Sequence, residues 1–287
     1  VVIGKSLIGC WIFIWAARTN KTCSLCATNG YAALHDKEYL MDCDGQGLQT
    51  LPLPSPPRRA PMDVYRAKTA GFCMGVSLAL QKLNSALERK GTDCAPARIC
   101  TLGPIIHNPQ VLAEYESRGV VCVKEASQLH PGDVAVIRAH GITREVEEQV
   151  KQSGAKIVDA TCPKVKKAQL SIGRATAEGA TLLLFGEADH PEVRGLVSYA
   201  CGPAHVFGSA AELASLHLAE SGPYVLASQT TQDRQIFQEI VAELRQRIAN
   251  LVVLSTICDA TRERQEEARD IASCVDVMVI IGGRQSG

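Results

Sequence analysis

From Val64 to Ile281, short apolar runs alternate with stretches of helical period, a pattern that confines the chain to strand–helix units built on parallel sheet. Val64–Lys68 alternates like a strand, and Val76, Ala79, Leu80, Leu83, Ala86 and Leu87 then recur at helical spacing. Further strands are expected at 99–102, 120–123, 134–137, 156–159, 181–185, 205–207, 224–227, 251–254 and 277–281. Helices are expected at 143–152, 163–177, 210–216, 233–248 and 262–272. Asn108-Pro109 opens another helix, with asparagine as cap and proline in the first turn. Such a chain has 287 residues, 46% of them hydrophobic, and can bury a core of substantial size.

Residues 1–61 break the pattern. Leu7–Ala17 is an unbroken apolar run holding both tryptophans, Trp11 and Trp15. It has the length of a signal-peptide apolar region and is short for a membrane span. No membrane association is expected. Cys23-x-x-Cys26 lacks the second ligand pair of a zinc site, and five prolines fall between Leu51 and Pro61. Residues 1–61 are therefore expected to be an extension that packs poorly on the body. The formal net charge is zero and no long basic run occurs, so nucleic acid is not an expected partner.

The twelve cysteines are too many for chance burial, and a cytosolic, metal-binding use fits a large α/β chain better than a disulfide scaffold. Cys73, Cys162 and Cys258 each follow an expected strand and precede an expected helix, at separations of 89 and 96 residues. Repeated strand-to-helix junctions are where ligands collect in parallel α/β folds, and a helix N-terminus favours the thiolate that binds metal. Cys94, Cys100, Cys122, Cys201 and Cys274 do not repeat this placement. Three thiolates suit an iron–sulfur cubane with one open iron, or a zinc ion with one open position. Spacing alone leaves both open.

Three histidines sit near the same junctions, in Gly103-Pro104-Ile105-Ile106-His107, Arg138-Ala139-His140-Gly141 and His190-Pro191-Glu192. Together with Ser228-Gln229-Thr230-Thr231 at a strand end, they would line one cleft with donors for an anion such as a diphosphate. Glu192, in a stretch read as loop, is the carboxylate placed to carry protons there. The chain contains no Walker loop, no G-x-G-x-x-G and no G-x-S-x-G, which weakens nucleotide and serine-hydrolase readings. A metal-bearing binding protein without turnover and a phosphate-binding enzyme with structural cysteines remain as alternatives.

Seven motifs then occur in order: Ala70-Gly71-Phe72-Cys73-Met74-Gly75-Val76, Ile106-His107-Asn108, Ala139-His140-Gly141, Asp159-Ala160-Thr161-Cys162-Pro163, His190-Pro191-Glu192-Val193, Ser228-Gln229-Thr230-Thr231 and Thr256-Ile257-Cys258-Asp259-Ala260-Thr261. This series resembles the 4-hydroxy-3-methylbut-2-enyl diphosphate reductases, the LytB/IspH family, from about Tyr65 to Ser286. The resemblance implies an α/β fold in which small parallel lobes form a pseudo-threefold arrangement around a central 4Fe-4S cluster. Cys73, Cys162 and Cys258 would be its three ligands, leaving one iron open. His107, His140 and His190 would face the diphosphate, and Glu192 and Thr230 would deliver protons. The implied reaction is a two-electron, two-proton reductive dehydroxylation giving isopentenyl and dimethylallyl diphosphate. Ferredoxin or a flavodoxin-type carrier would donate the electrons, in the cytoplasm.

The lobes would span 62–162, 163–254 and 255–287, after the extension of 1–61. The family's later substrate loop aligns only in part with Gly282-Gly283-Arg284-Gln285-Ser286-Gly287, where glutamine replaces an asparagine and glycine a serine. Ser286 would still contribute to substrate binding. The third lobe is expected to be incomplete, and reductase activity of the chain as it stands to be low.

Overall fold

The computed structural model of the protein describes residues 13–18, 63–90 and 97–282. The chain runs through strands β1 (Phe13–Arg18) and β2 (Asp63–Arg66), helix α1 (Met74–Lys90), β3 (Ile99–Leu102), α2 (Pro109–Ser117), β4 (Val120–Val123), β5 (Val134–Ile137), α3 (Arg144–Gln152) and β6 (Lys156–Asp159). Helix α4 (Pro163–Ala175) leads into β7 (Thr181–Phe185), α5 (Pro191–Ser198), β8 (Ala204–Phe207), α6 (Ala210–Ser215), β9 (Tyr224–Ser228), α7 (Arg234–Arg247) and β10 (Leu251–Val253). Helix α8 (Asp259–Cys274) and β11 (Val277–Ile281) follow.

Two four-stranded sheets carry the body, ordered β4-β3-β5-β6 and β8-β7-β9-β10, and all pairings within them are parallel. The two orders are the same once the strands are renumbered, so the second unit repeats the topology of the first. In each, the central strands are apolar on both faces, as parallel strands covered by helices must be. Ile99–Leu102 is wholly buried, as are Leu182–Phe185 and Tyr224–Ser228. On the first sheet, α1 lays Val76, Ala79, Leu83 and Ala86 against Ile99 and Val136. Each fully buried leucine here contributes on the order of 1.5–3 kcal/mol. Helix starts follow local capping: Asn108 accepts from the Val111 amide, Thr143 from Val146, and Asp233 from Gln235 and Ile236.

The elements agree closely with the periodicity, with two departures. Residues 191–198, read as loop, form helix α5, with His190 as N-cap, Pro191 in the first turn and Glu192 beside it. The His190-Pro191 start and Gly195 read as loop signals, but the cap, the proline and the acidic first turn were all in the sequence. The second departure concerns the third sheet, ordered β11-β1-β2 and antiparallel throughout. The strand expected to open the first lobe, β2, joins it, and so does Phe13–Arg18 from within the span read as an extension. An open strand edge takes a partner wherever the chain offers an extended run, and periodicity carries no information about which. The rest of 1–61 and Ser286 lie outside the described residues. No helix of the described residues is long and apolar enough to cross a membrane.

Candidate functional site

The sheet repeat explains where the chemistry collects. In the first unit His107 follows β3, His140 follows β5 and Cys162 follows β6. In the second, His190 and Glu192 follow β7, Thr230 follows β9 and Cys258 follows β10. All leave the carboxyl ends of parallel strands, where side chains of such a sheet are free to converge. They meet in one cavity, which Cys73, Cys162, Cys258, His107, His140 and His190 line together with Glu192 and Thr230.

Each thiol is fixed by a main-chain anchor. Cys162 and Cys258 are the N-cap residues of α4 and α8, and Cys73 directly precedes α1. The Cys162 amide donates to the carbonyl of Ala139, next to His140, at 2.9 Å. The Cys258 amide donates to the carbonyl of Thr230, also at 2.9 Å. Cys73 is held from the far end of the chain: Arg264 of α8 donates to the carbonyls of Thr69 (3.1 Å) and Gly71 (2.7 Å). From the same helix the Glu267 carboxylate accepts from the Lys68 and Thr69 amides at 2.6 and 2.8 Å.

A side chain at Gly75 would place its Cβ 2.5 Å from Cys162 Sγ and 3.8 Å from Cys73 Sγ, so these two sulfurs are close neighbours and glycine keeps the space between them open. Cys73 and Cys258 both act electrostatically on the Cys162 thiol. Burial pushes that thiol up, and the first-turn amides of Val165 and Lys164 only partly offset it. An electropositive centre bound by all three thiols would remove this penalty, which is the chemistry that a thiolate-held metal group supplies. No disulfide joins any of the seven described cysteines. The donor set and the space fit a cluster.

The histidines form a second focus. Ring centroids of His107 and His140 lie 4.8 Å apart, those of His140 and His190 5.3 Å, and those of His107 and His190 6.1 Å. One ring nitrogen from each lies within 4.8 Å of the other two. Burial lowers all three and Arg138 adds to it, with neighbouring rings adding further at His140 and His190. His190 comes down to about 4, and His140 falls well below the usual imidazole value. His190 Nδ1 accepts the Glu192 amide at 3.2 Å, so its neutral ring carries the proton on Nε2. His107 Nε2 and His140 Nδ1 are buried and have no hydrogen-bond partner among the described residues. Buried ring nitrogens left in this state cost about 1–3 kcal/mol each unless a ligand takes them up.

Glu192, expected in a loop, is only 2% exposed. Burial raises its carboxyl pKa, against two hydrogen bonds from Thr230 that lower it. The Thr230 amide donates to Oε1 at 2.7 Å and the hydroxyl to Oε2 at 3.0 Å. Thr230 is in turn seated by β9, where the Ser228 amide donates to the Thr256 hydroxyl and that hydroxyl donates to the Ser228 carbonyl. Sequence reasoning missed Lys164 and Arg264, which also line the cavity. Lys164 reaches Asp259 of α8 at 2.6 Å, bridging the helices that begin at Cys162 and Cys258. Its place two residues after one junction cysteine, with Asp259 directly after another, was the available signal.

The family profile described as LytB protein matches residues 64–287. A 4-hydroxy-3-methylbut-2-enyl diphosphate reductase of Desulfovibrio desulfuricans is 75% identical over 227 residues, covering 79% of each chain. Another from Geobacter sulfurreducens is 43% identical over 227 residues, covering 78% of this chain and 77% of the relative. Among solved structures, an (E)-4-hydroxy-3-methyl-but-2-enyl diphosphate reductase, described as the terminal enzyme of the non-mevalonate pathway, aligns with a TM-score of 0.61 at 37% identity, covering 77% of both chains. The reductase of Plasmodium falciparum aligns with a TM-score of 0.65 at 25% identity, covering 71% of this chain and 63% of that one.

Proposed function

The chain belongs to the LytB family of 4-hydroxy-3-methylbut-2-enyl diphosphate reductases, terminal enzymes of the non-mevalonate pathway, and we propose that its own residues divide that reaction between two adjoining foci. Cys73, Cys162 and Cys258 would hold a 4Fe-4S cluster, which when bound supplies electrons and one Lewis-acidic iron. The observation that carries this reading is the pair of main-chain ties from Cys162 to the His140 loop and from Cys258 to Thr230. They fix the thiols and the polar groups of one cavity to each other.

His107, His140 and His190 take the diphosphate. Their orphaned or cavity-facing nitrogens become donors, and phosphate charge opposes the burial that keeps the rings neutral. Glu192 keeps a proton in a dry pocket because burial disfavours its ionised form. Its proton passes toward the substrate hydroxyl through Thr230, whose hydroxyl touches Oε2. Loss of water from the alcohol then consumes two electrons and two protons. The apolar remainder of the cavity, including Val76, Ile106 and Ala139, excludes bulk water from the hydrocarbon part of the substrate. Ser286 is the further diphosphate contact of this reading. Residues 62–162 and 163–254 act as two lobes, with 255–287 beginning a third, and a reducing, cytoplasmic setting suits thiols outside any disulfide.

Anaerobic reconstitution with iron and sulfide tests the proposal. Four irons and four sulfides per chain are expected for such a cluster, with loss on Cys162→Ser or Cys258→Ser. Turnover of the diphosphate is then assayed with a chemical reductant. Stoichiometric zinc without sulfide would discard the cluster.

A further inference from the structure

The reaction takes its electrons from outside the chain, and the surface along the helix that Cys162 caps differs from the rest of a protein with zero formal charge. Helix α4 begins directly after Cys162, and Pro163, Lys167, Leu170 and Arg174 are all exposed along it. That spacing is one helical face. Leu170 stays 46% exposed between two cations. Neither Lys167 nor Arg174 has a carboxylate partner among the described residues. Lys82 crosses from α1 and donates to the main-chain carbonyl of Asp159 at 2.6 Å, so its charge is not met by a carboxylate there. Along this shallow groove Lys166 is paired with Asp159 at 3.5 Å and with Glu147 at 3.8 Å, which leaves Lys82, Lys167 and Arg174 as the cations without a carboxylate among the described residues.

We propose that this face of α4, with Lys82 beside it, is the docking surface for an acidic one-electron carrier protein that delivers reducing equivalents next to Cys162. The proposal rests on the reductase reading above and names the partner of its electron-accepting side. An apolar residue within a cationic ring is the make-up of a transient redox interface, where charge steers the encounter and a small apolar contact seats it. Pro163 begins the face and is bonded to Cys162, and Lys167, Leu170 and Arg174 follow over about 7 to 18 Å of helix axis. The reduced carrier loses one electron per visit and leaves oxidised. Two visits supply the two electrons that, with two protons, release the hydroxyl as water.

The test is anaerobic binding of an acidic 2Fe-2S ferredoxin to the full chain at low salt, followed by salt titration. Lys167→Glu with Arg174→Glu is expected to weaken binding at least tenfold and to flatten the salt dependence. Lys167→Gln with Arg174→Gln should give an intermediate loss. Lys124→Glu, at the opposite edge of the first sheet, should bind as the parent does. A water-soluble carbodiimide should couple Lys167 to the ferredoxin. Unchanged affinity in the double variants, an equal loss in Lys124→Glu, or coupling confined to other lysines would overturn the proposal. Tighter binding of a DNA duplex than of ferredoxin would overturn it as well. Iron and sulfide are counted on the same preparations. Absence of a cluster in the parent and the variants alike rejects the reductase reading, while the affinities still decide the docking surface.

Discussion

Glu192 and Thr230, 38 residues apart in sequence, meet through two hydrogen bonds, the threonine amide at 2.7 Å and its hydroxyl at 3.0 Å. The amide bond fixes the carboxyl, while the hydroxyl offers a way out for a proton. Glu192→Gln keeps size and hydrogen bonding but removes the acid. Turnover is expected to fall by roughly two to four powers of ten with a much smaller change in KM. Steady-state kinetics with a chemical reductant reads this directly, and near-normal turnover would remove Glu192 from proton delivery.

His140→Ala should act in the opposite sense. It removes a proposed diphosphate donor without touching Glu192, so KM should rise while kcat moves less. Isothermal titration with inorganic pyrophosphate provides a second reading, and parental affinity in this variant would exclude His140 from the anion site.

Gly75 tests the packing around the thiols. Its replacement by alanine would put a methyl group 2.5 Å from Cys162 Sγ and 3.1 Å from Cys162 Cβ. Gly75→Ala should therefore lose most of its iron after reconstitution while keeping a parental far-ultraviolet circular dichroism spectrum. Full cluster occupancy in this variant would show that the thiols can rearrange around a side chain.

The buried imidazoles set an acid limit on stability. His190 titrates at about 4 in the fold and near 6.5 when unfolded. Its folded pKa is depressed, so the unfolded chain binds the extra proton first. The associated stability is complete above about pH 6.5 and is lost as pH falls toward 4, by an amount of order 3 kcal/mol. Urea midpoints measured between these limits should fall steeply for the parent and less for His190→Asn. Parallel curves would exclude this linkage.

Much of this was legible because it was local. Asn108 announced its helix by capping chemistry, and the junction cysteines stood out by repetition. The equivalence runs deeper than spacing disclosed: His107 and His190 follow corresponding strands, β3 and β7, and Cys162 and Cys258 follow β6 and β10. Helix α5 was not legible because Pro191 and Gly195 within it are loop signals in sequence. Glu192 reads as a loop carboxylate in sequence, since its burial depends on β7, β9 and Thr230 closing over it. The third sheet was illegible for a different reason. Pairing of Phe13–Arg18 with Val277–Ile281 joins residues from opposite ends of the chain, and no window of sequence contains both.

The grip of α8 on the loop before Cys73 has a consequence for biosynthesis. Arg264 and Glu267 reach back across 193 to 199 residues, whereas the parallel sheets close over far shorter spans. Contacts so distant carry the largest loop-closure cost and form late. Because synthesis delivers the amino-terminal units first, both can fold on the ribosome while Cys73 still lacks its clamp. Loading of the proposed cluster would thus follow translation of α8. A nascent chain halted before residue 264 should expose Cys73 to alkylation while protecting its finished sheets from protease.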